Sequence, residues 1–133
     1  MKLSARYGAI TISALAALSL VHWGRGQHVK LAIVLYLIGV LPNFLAAIAI
    51  PFVPLGVWAD QNLSLDYDHA KWWFIVATTG SMVGLIAWEF AQHDSRKLVF
   101  DPQDIGATFL GAGVAVVLFR LVTPRRARAP ADC

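Results

Sequence analysis

Four long apolar runs separated by short polar stretches constrain this chain more than any other feature. They cover approximately residues 7–23, 31–50, 73–91 and 102–122, each close to the roughly 20 residues that an α-helix needs to cross a hydrocarbon layer. Lipid offers no partner to a backbone N–H or C=O, so a spanning segment must satisfy its own hydrogen bonds, which predicts helices. Composition agrees: 58% of the residues are hydrophobic and 14% charged, against about a quarter charged in an average soluble domain. The expected fold is all-α, a polytopic membrane protein with one four-transmembrane-helix bundle over residues 1–122. A basic tail over 123–133, rich in Pro, Ala and Arg, is expected to be disordered.

The net charge of +3 comes mainly from Lys2 and Arg6 at the start and Arg120, Arg125, Arg126 and Arg128 at the finish. That tail has no interleaved aromatics, so no nucleic-acid partner is expected. The single cysteine, Cys133, is the last residue and offers no internal disulfide. With both termini on the cytoplasmic side, Lys2, Arg6, Lys71 and the four later arginines fall inside, against Arg25, Lys30, Arg96 and Lys97 outside. This excess follows the positive-inside rule, and the expected location is the bacterial inner membrane.

In chain order, the basic start and Ala14-Leu15-Ala16 also suit a cleaved leader, but the run is read here as a first crossing with a small stripe of Ala9, Ser13 and Ala17. His22 and His28 flank a short connection and suit solvated surface better than metal ligation. In the second run Pro42 removes a helical donor, and the neighbouring Asn43 amide can fill the gap or bond another helix. Pro51, Pro54 and Gly56 are expected to end the helix and turn the chain along the interface. The stretch Ala59 to Lys71 carries Asp60, Asp66, Asp68 and His69, a weak invitation to metal. Trp72 and Trp73 mark a membrane surface. Gly80 and Gly84 stand in GxxxG spacing, and Ala107, Gly111 and Ala115 form a matching small face. The third and fourth helices are therefore expected to pack as a hairpin, and Gly80, Gly84, Ala107 and Gly111 offer a route to a helix partner or a homo-oligomer.

The unusual chemistry lies between Trp88 and Gly113. Glu89, Gln92 and His93 are three and four residues apart and share a helix face; Asp101 and Asp104 open the next run. Capping explains much of the second pair, since Asp is favoured at the N-cap and Pro102 at the first helical position. It does not explain Glu89, an acid about one turn inside the apolar boundary, which is costly unless a cation or a proton meets it. The candidate ligand-binding set is Glu89, Gln92, Arg96, Asp101 and Asp104. Glu89 and His93 are candidate ligands for a divalent cation, and no other cofactor is expected. Serine elbow, P-loop, CxxC and HExxH patterns are all absent from the sequence, and no catalytic residue is assigned.

These residues carry a resemblance. Asn43 to Gly56, NFLAAIAIPFVPLG, is similar to the Asn-plus-Pro-Gly element of VanZ-like membrane proteins, the family named for teicoplanin resistance. Glu89-x-x-Gln92, Arg96, Asp101-x-x-Asp104 and Gly111-x-Gly113 resemble that family's E-x-x-Q, R, D-x-x-D-x-x-x-N-x-x-G pattern. Thr108 stands where the family has Asn, and the family's Asp-Lys-x-x-His-Phe element is represented only by Asp68-His69-Ala70-Lys71-Trp72. The resemblance implies a role in the cell envelope connected with glycopeptide tolerance, lipid or wall precursors. The functional expectation is binding of a membrane lipid or wall-precursor headgroup at an extracytoplasmic polar site. Alternatives are a structural subunit of a larger membrane complex, whose acids only cap helices, and a phage-type membrane-permeabilising protein.

Overall fold

The computed structural model describes residues 2–25, 31–62, 66–93 and 102–124. They form four helices and no strand: α1 (Leu3–Arg25), α2 (Ala32–Gln61), α3 (Tyr67–His93) and α4 (Pro102–Val122). Each is long and apolar enough to cross a membrane. Many of the largest apolar side chains point outward, Leu110, Leu121 and Trp23 among them. Such a surface would aggregate in water, whereas hydrocarbon solvates it, so the chain is a multi-pass membrane protein.

The ends of the chain meet. Arg6 Nη1 donates to the Val122 carbonyl at 3.2 Å, and the Tyr7 and Thr123 hydroxyls share a buried hydrogen bond of 2.8 Å. The start of α1 and the finish of α4 therefore occupy one end of the bundle. The finish of α2 and the start of α3 join them there in a core of Leu3, Tyr7, Leu55, Ala59, Ala70 and Phe119. Phe74 stacks on Phe119 with centroids 4.4 Å apart, and Phe52 tilts against both Tyr7 and Phe74 at 5.7 Å. Aromatic pairs of this kind are worth about 0.5–1.5 kcal/mol beyond the area they bury.

Helix α2 is the axis of the fold. It packs against each of the other three, while α1 and α3 do not meet among the described residues. Its course departs from the sequence expectation: Pro42, Pro51 and Pro54 all lie inside one helix that continues to Gln61. The expected turn at Pro51–Gly56 is absent, and Phe52 and Leu55 of that segment are fully buried. Each proline withdraws one donor, but leaving the helix would strip several more from backbone in an apolar medium. The helix stops where water-soluble caps become available: the Asn62 backbone N–H and side-chain amide both donate to the Trp58 carbonyl, at 3.1 and 2.8 Å.

Two further packing expectations are corrected. On α1 the Ala9, Ser13 and Ala17 stripe is largely exposed, and it is Tyr7 and Ala14 that enter the core, Ala14 beside Ile48 and Ala49. On α4 the small face of Ala107, Gly111 and Ala115 is buried as expected, but Gly111 lies against α2 rather than α3. A Cβ there would collide with the Phe44 carbonyl oxygen and stand 2.9 Å from the Ala47 Cβ. Gly80 and Gly84 line an open groove beside Ile50 and Pro54 of α2, with nothing within 4 Å of a notional Cβ. The expected α3–α4 glycine pairing is therefore absent, and Ala107 and Gly111 are not available to a partner.

Candidate functional site

Helix α3 begins earlier than its apolar pattern does, because Asp66 caps it. Asp66 Oδ1 accepts from the Asp68 backbone N–H at 3.1 Å, its Oδ2 pairs with His69 Nδ1 at 2.9 Å, and its carbonyl accepts from the Ala70 N–H. The His69 bond, and then the Asp68 N–H, hold the Asp66 carboxyl below its ordinary range. A helix start thus accounts for Asp66, Asp68 and His69. Among the described residues, no group of three or more His, Cys, Asp or Glu side chains is placed to hold a metal.

From that cap the helix runs uninterrupted to His93, which carries Glu89 to the end of the bundle opposite the termini. The first turns of α4 and the first half of α2 lie at the same end. Glu89 does not sit on the surface at a mouth: it is 2% exposed. Its Oε1 accepts a hydrogen bond from Asn43 Nδ2 at 2.8 Å. The sequence left Asn43 two uses, filling the gap at Pro42 or bonding another helix, and the expected site did not include it. The missing step was depth. Asn43 and Glu89 lie at similar distances along the chain from the α2–α3 connection, so antiparallel helices bring them to similar heights.

Asp104 is half-buried in the first turn of α4, and its carbonyl accepts from the Thr108 hydroxyl at 2.9 Å. Thr108 is fully buried, one turn before the Gly111 contact with α2. Gln92 and His93 are the closing residues of α3. Arg96 and Asp101, the other two expected site residues, lie outside the described residues, as does His28. The structure therefore joins Glu89 to α2 through Asn43 and places Asp104 at the same end of the bundle.

Beside this polar end a groove of about 390 Å³ opens between α2 and α4. Leu37, Leu41, Phe44 and Leu110 wall it, and its polar residues, Tyr36 and Gln103, belong to the opening turns of α2 and α4. The floor includes Gly106, where a Cβ would meet nothing within 4 Å. One wall residue, Phe44, directly follows Asn43 in sequence. An apolar trough with polar groups gathered at one end has the chemistry of an amphiphile laid along the helices.

Fold and site together define a class: a four-helix multi-pass membrane protein with a buried carboxyl bonded to a half-buried amide and an open, mainly apolar groove at the end away from its termini. Comparison with family models, curated proteins and solved structures gave no match.

Proposed function

We propose that the chain binds a membrane amphiphile, with its tail in the α2–α4 groove and its polar headgroup at the end carrying Asp104 and Gln103. The observation that carries this reading is the groove itself, apolar along its length and polar where it reaches the turns beside Asp104. Carboxylate and amide oxygens accept hydrogen bonds from hydroxyl-rich or cationic headgroups, which favours a glycosylated or amine-bearing lipid. Glu89 is too deep to meet a headgroup directly. Its role is to bind α2 to α3 and so fix the wall that Phe44 provides. Gln92, Arg96 and Asp101 belong to the proposed set through the sequence pattern alone.

Binding, rather than a reaction, is the proposed activity. The excess of Lys and Arg near the termini orients that end toward the cytoplasm and the site toward the outer face of a bacterial inner membrane. Kinship with VanZ-like proteins belongs to the same proposal. It rests on Glu89-x-x-Gln92 and Asp101-x-x-Asp104, and it would connect the site with wall-precursor lipids and glycopeptide tolerance.

The test compares a polyprenyl-phosphate-linked amino sugar with the same polyprenyl phosphate lacking the sugar, added to purified protein in detergent. A ligand well above its Kd raises stability by mass action, so the sugar lipid should lift the unfolding temperature by several degrees. Asp104→Asn should remove the preference for the sugar. Equal effects of the two lipids, or a protein partner co-purifying in stoichiometric amount in place of lipid, would reject the reading in favour of a structural subunit.

A further inference from the structure

A second groove, on a different face and at the other end of the bundle, lies between α1 and α2. It has a volume of about 470 Å³ and extends from Ile12 and Phe52 in the apolar interior to Ser4 and Asp60 at the end that carries the termini. Its hollow exists because two positions lack side chains. A Cβ at Gly8 would meet nothing within 4 Å, and one at Gly56 only the Tyr7 Cβ at 3.9 Å. From Ser4 to Ile12 the groove follows roughly 12 Å of helix. A hydrocarbon chain can lie along this hollow.

The mouth carries a charge that the fold does not explain. Asp60 stands in the last turn of α2, where the helix dipole disfavours a carboxylate, and no basic residue shares that turn. Its hydrogen bond is the long one from the Ser4 hydroxyl, 3.4 Å. An exposed carboxylate at the membrane-surface end of this groove complements an ammonium that can donate hydrogen bonds. We infer that the α1–α2 groove holds one acyl chain of a phospholipid with a primary ammonium headgroup, whose N–H groups donate to Asp60. This site is independent of the α2–α4 groove and of the function proposed for it.

Native mass spectrometry of the full chain with equal amounts of dioleoyl phosphatidylethanolamine, phosphatidylcholine and phosphatidylglycerol tests this. A Gly106→Trp background fills the α2–α4 groove and removes that site from the comparison. Phosphatidylcholine has the same net charge as phosphatidylethanolamine but no ammonium N–H. The ethanolamine lipid should be retained about fivefold more than the choline lipid, the value of one hydrogen bond. Asp60→Asn should erase that difference and Asp60→Glu keep it, while Gly8→Leu with Gly56→Leu should end retention of all three. Equal retention of the ethanolamine and choline lipids overturns the inference, as does an unchanged ratio in Asp60→Asn. A dimer that disappears when the glycines are filled would replace the lipid with a second copy of the chain.

Discussion

Glu89 shows how one residue can be conspicuous in sequence while its purpose depends on a partner nearly fifty positions away. A carboxyl carried into the interior of a lipid-facing bundle loses its water, and the Asn43 amide replaces part of that solvation at 2.8 Å. The acid was legible because polar residues are scarce in these runs; the bond was not, because nothing local specifies which helix lies opposite. A double-mutant cycle with Asn43→Ala and Glu89→Ala, read by unfolding in detergent, should give a coupling of about 0.6–1.7 kcal/mol, the range that such cycles give for interhelical bonds in membranes. Additive losses would place the two side chains apart. Asp66 supplies a second test. Its carboxyl is held below the ordinary range by His69 and then by the Asp68 N–H, so the cap is fully present above that range and is lost as pH falls through the lowered value. Protection of the Asp68 amide against hydrogen exchange should therefore weaken under acid conditions. Asp66→Asn, which can still cap, should remove the pH dependence, and an unchanged acid response in that variant would assign the effect to another group.

At the scale of helices, the number of spans was legible and their packing was not. Length and apolarity identify four crossings whatever their neighbours. Proline was misleading because its usual meaning is calibrated in water: at Pro51 and Pro54 lipid penalises an open backbone more than it penalises a few missing donors, and α2 continues to Gln61. The glycines were misleading for a different reason. GxxxG spacing indicates that a face permits close approach but not which helix approaches it. Gly111 meets the α2 backbone at Phe44, whereas Gly84 meets nothing. Gly111→Ala should thus cost about 1–3 kcal/mol through forced separation of α2 and α4, while Gly84→Leu should stay within about 0.5 kcal/mol of the parent. Thermal unfolding in detergent measures both. Equal losses would restore the α3–α4 pairing, and no loss at Gly111 would contradict the contact with α2.

Across the whole molecule, one central helix gives the two ends different characters. At the termini end, Arg6, Tyr7 and Thr123 tie α1 to α4 over an aromatic core, and the α1–α2 groove opens beside Asp60. At the far end the Asn43–Glu89 bond holds α2 to α3, leaving α4 to form the second wall of a groove that opens on the membrane. Among the described residues α1 and α3 do not meet; α2 packs against all three other helices, and α4 adds lesser contacts with α1 and α3. The account stands or falls on whether the α2–α4 groove holds its lipid specifically or is merely wetted by the bilayer. Photolabelling with a diazirine-tailed lipid in nanodiscs, mapped by peptide mass spectrometry, decides this most directly. Label should concentrate on Val40–Phe44 and Gly106–Leu110 and fall about tenfold in Gly106→Trp. Gly113→Trp, which alters an equally open position of the same helix outside the groove, should leave it unchanged. Label spread evenly over the outward faces of α3 and α4, indifferent to both substitutions, would contradict the account.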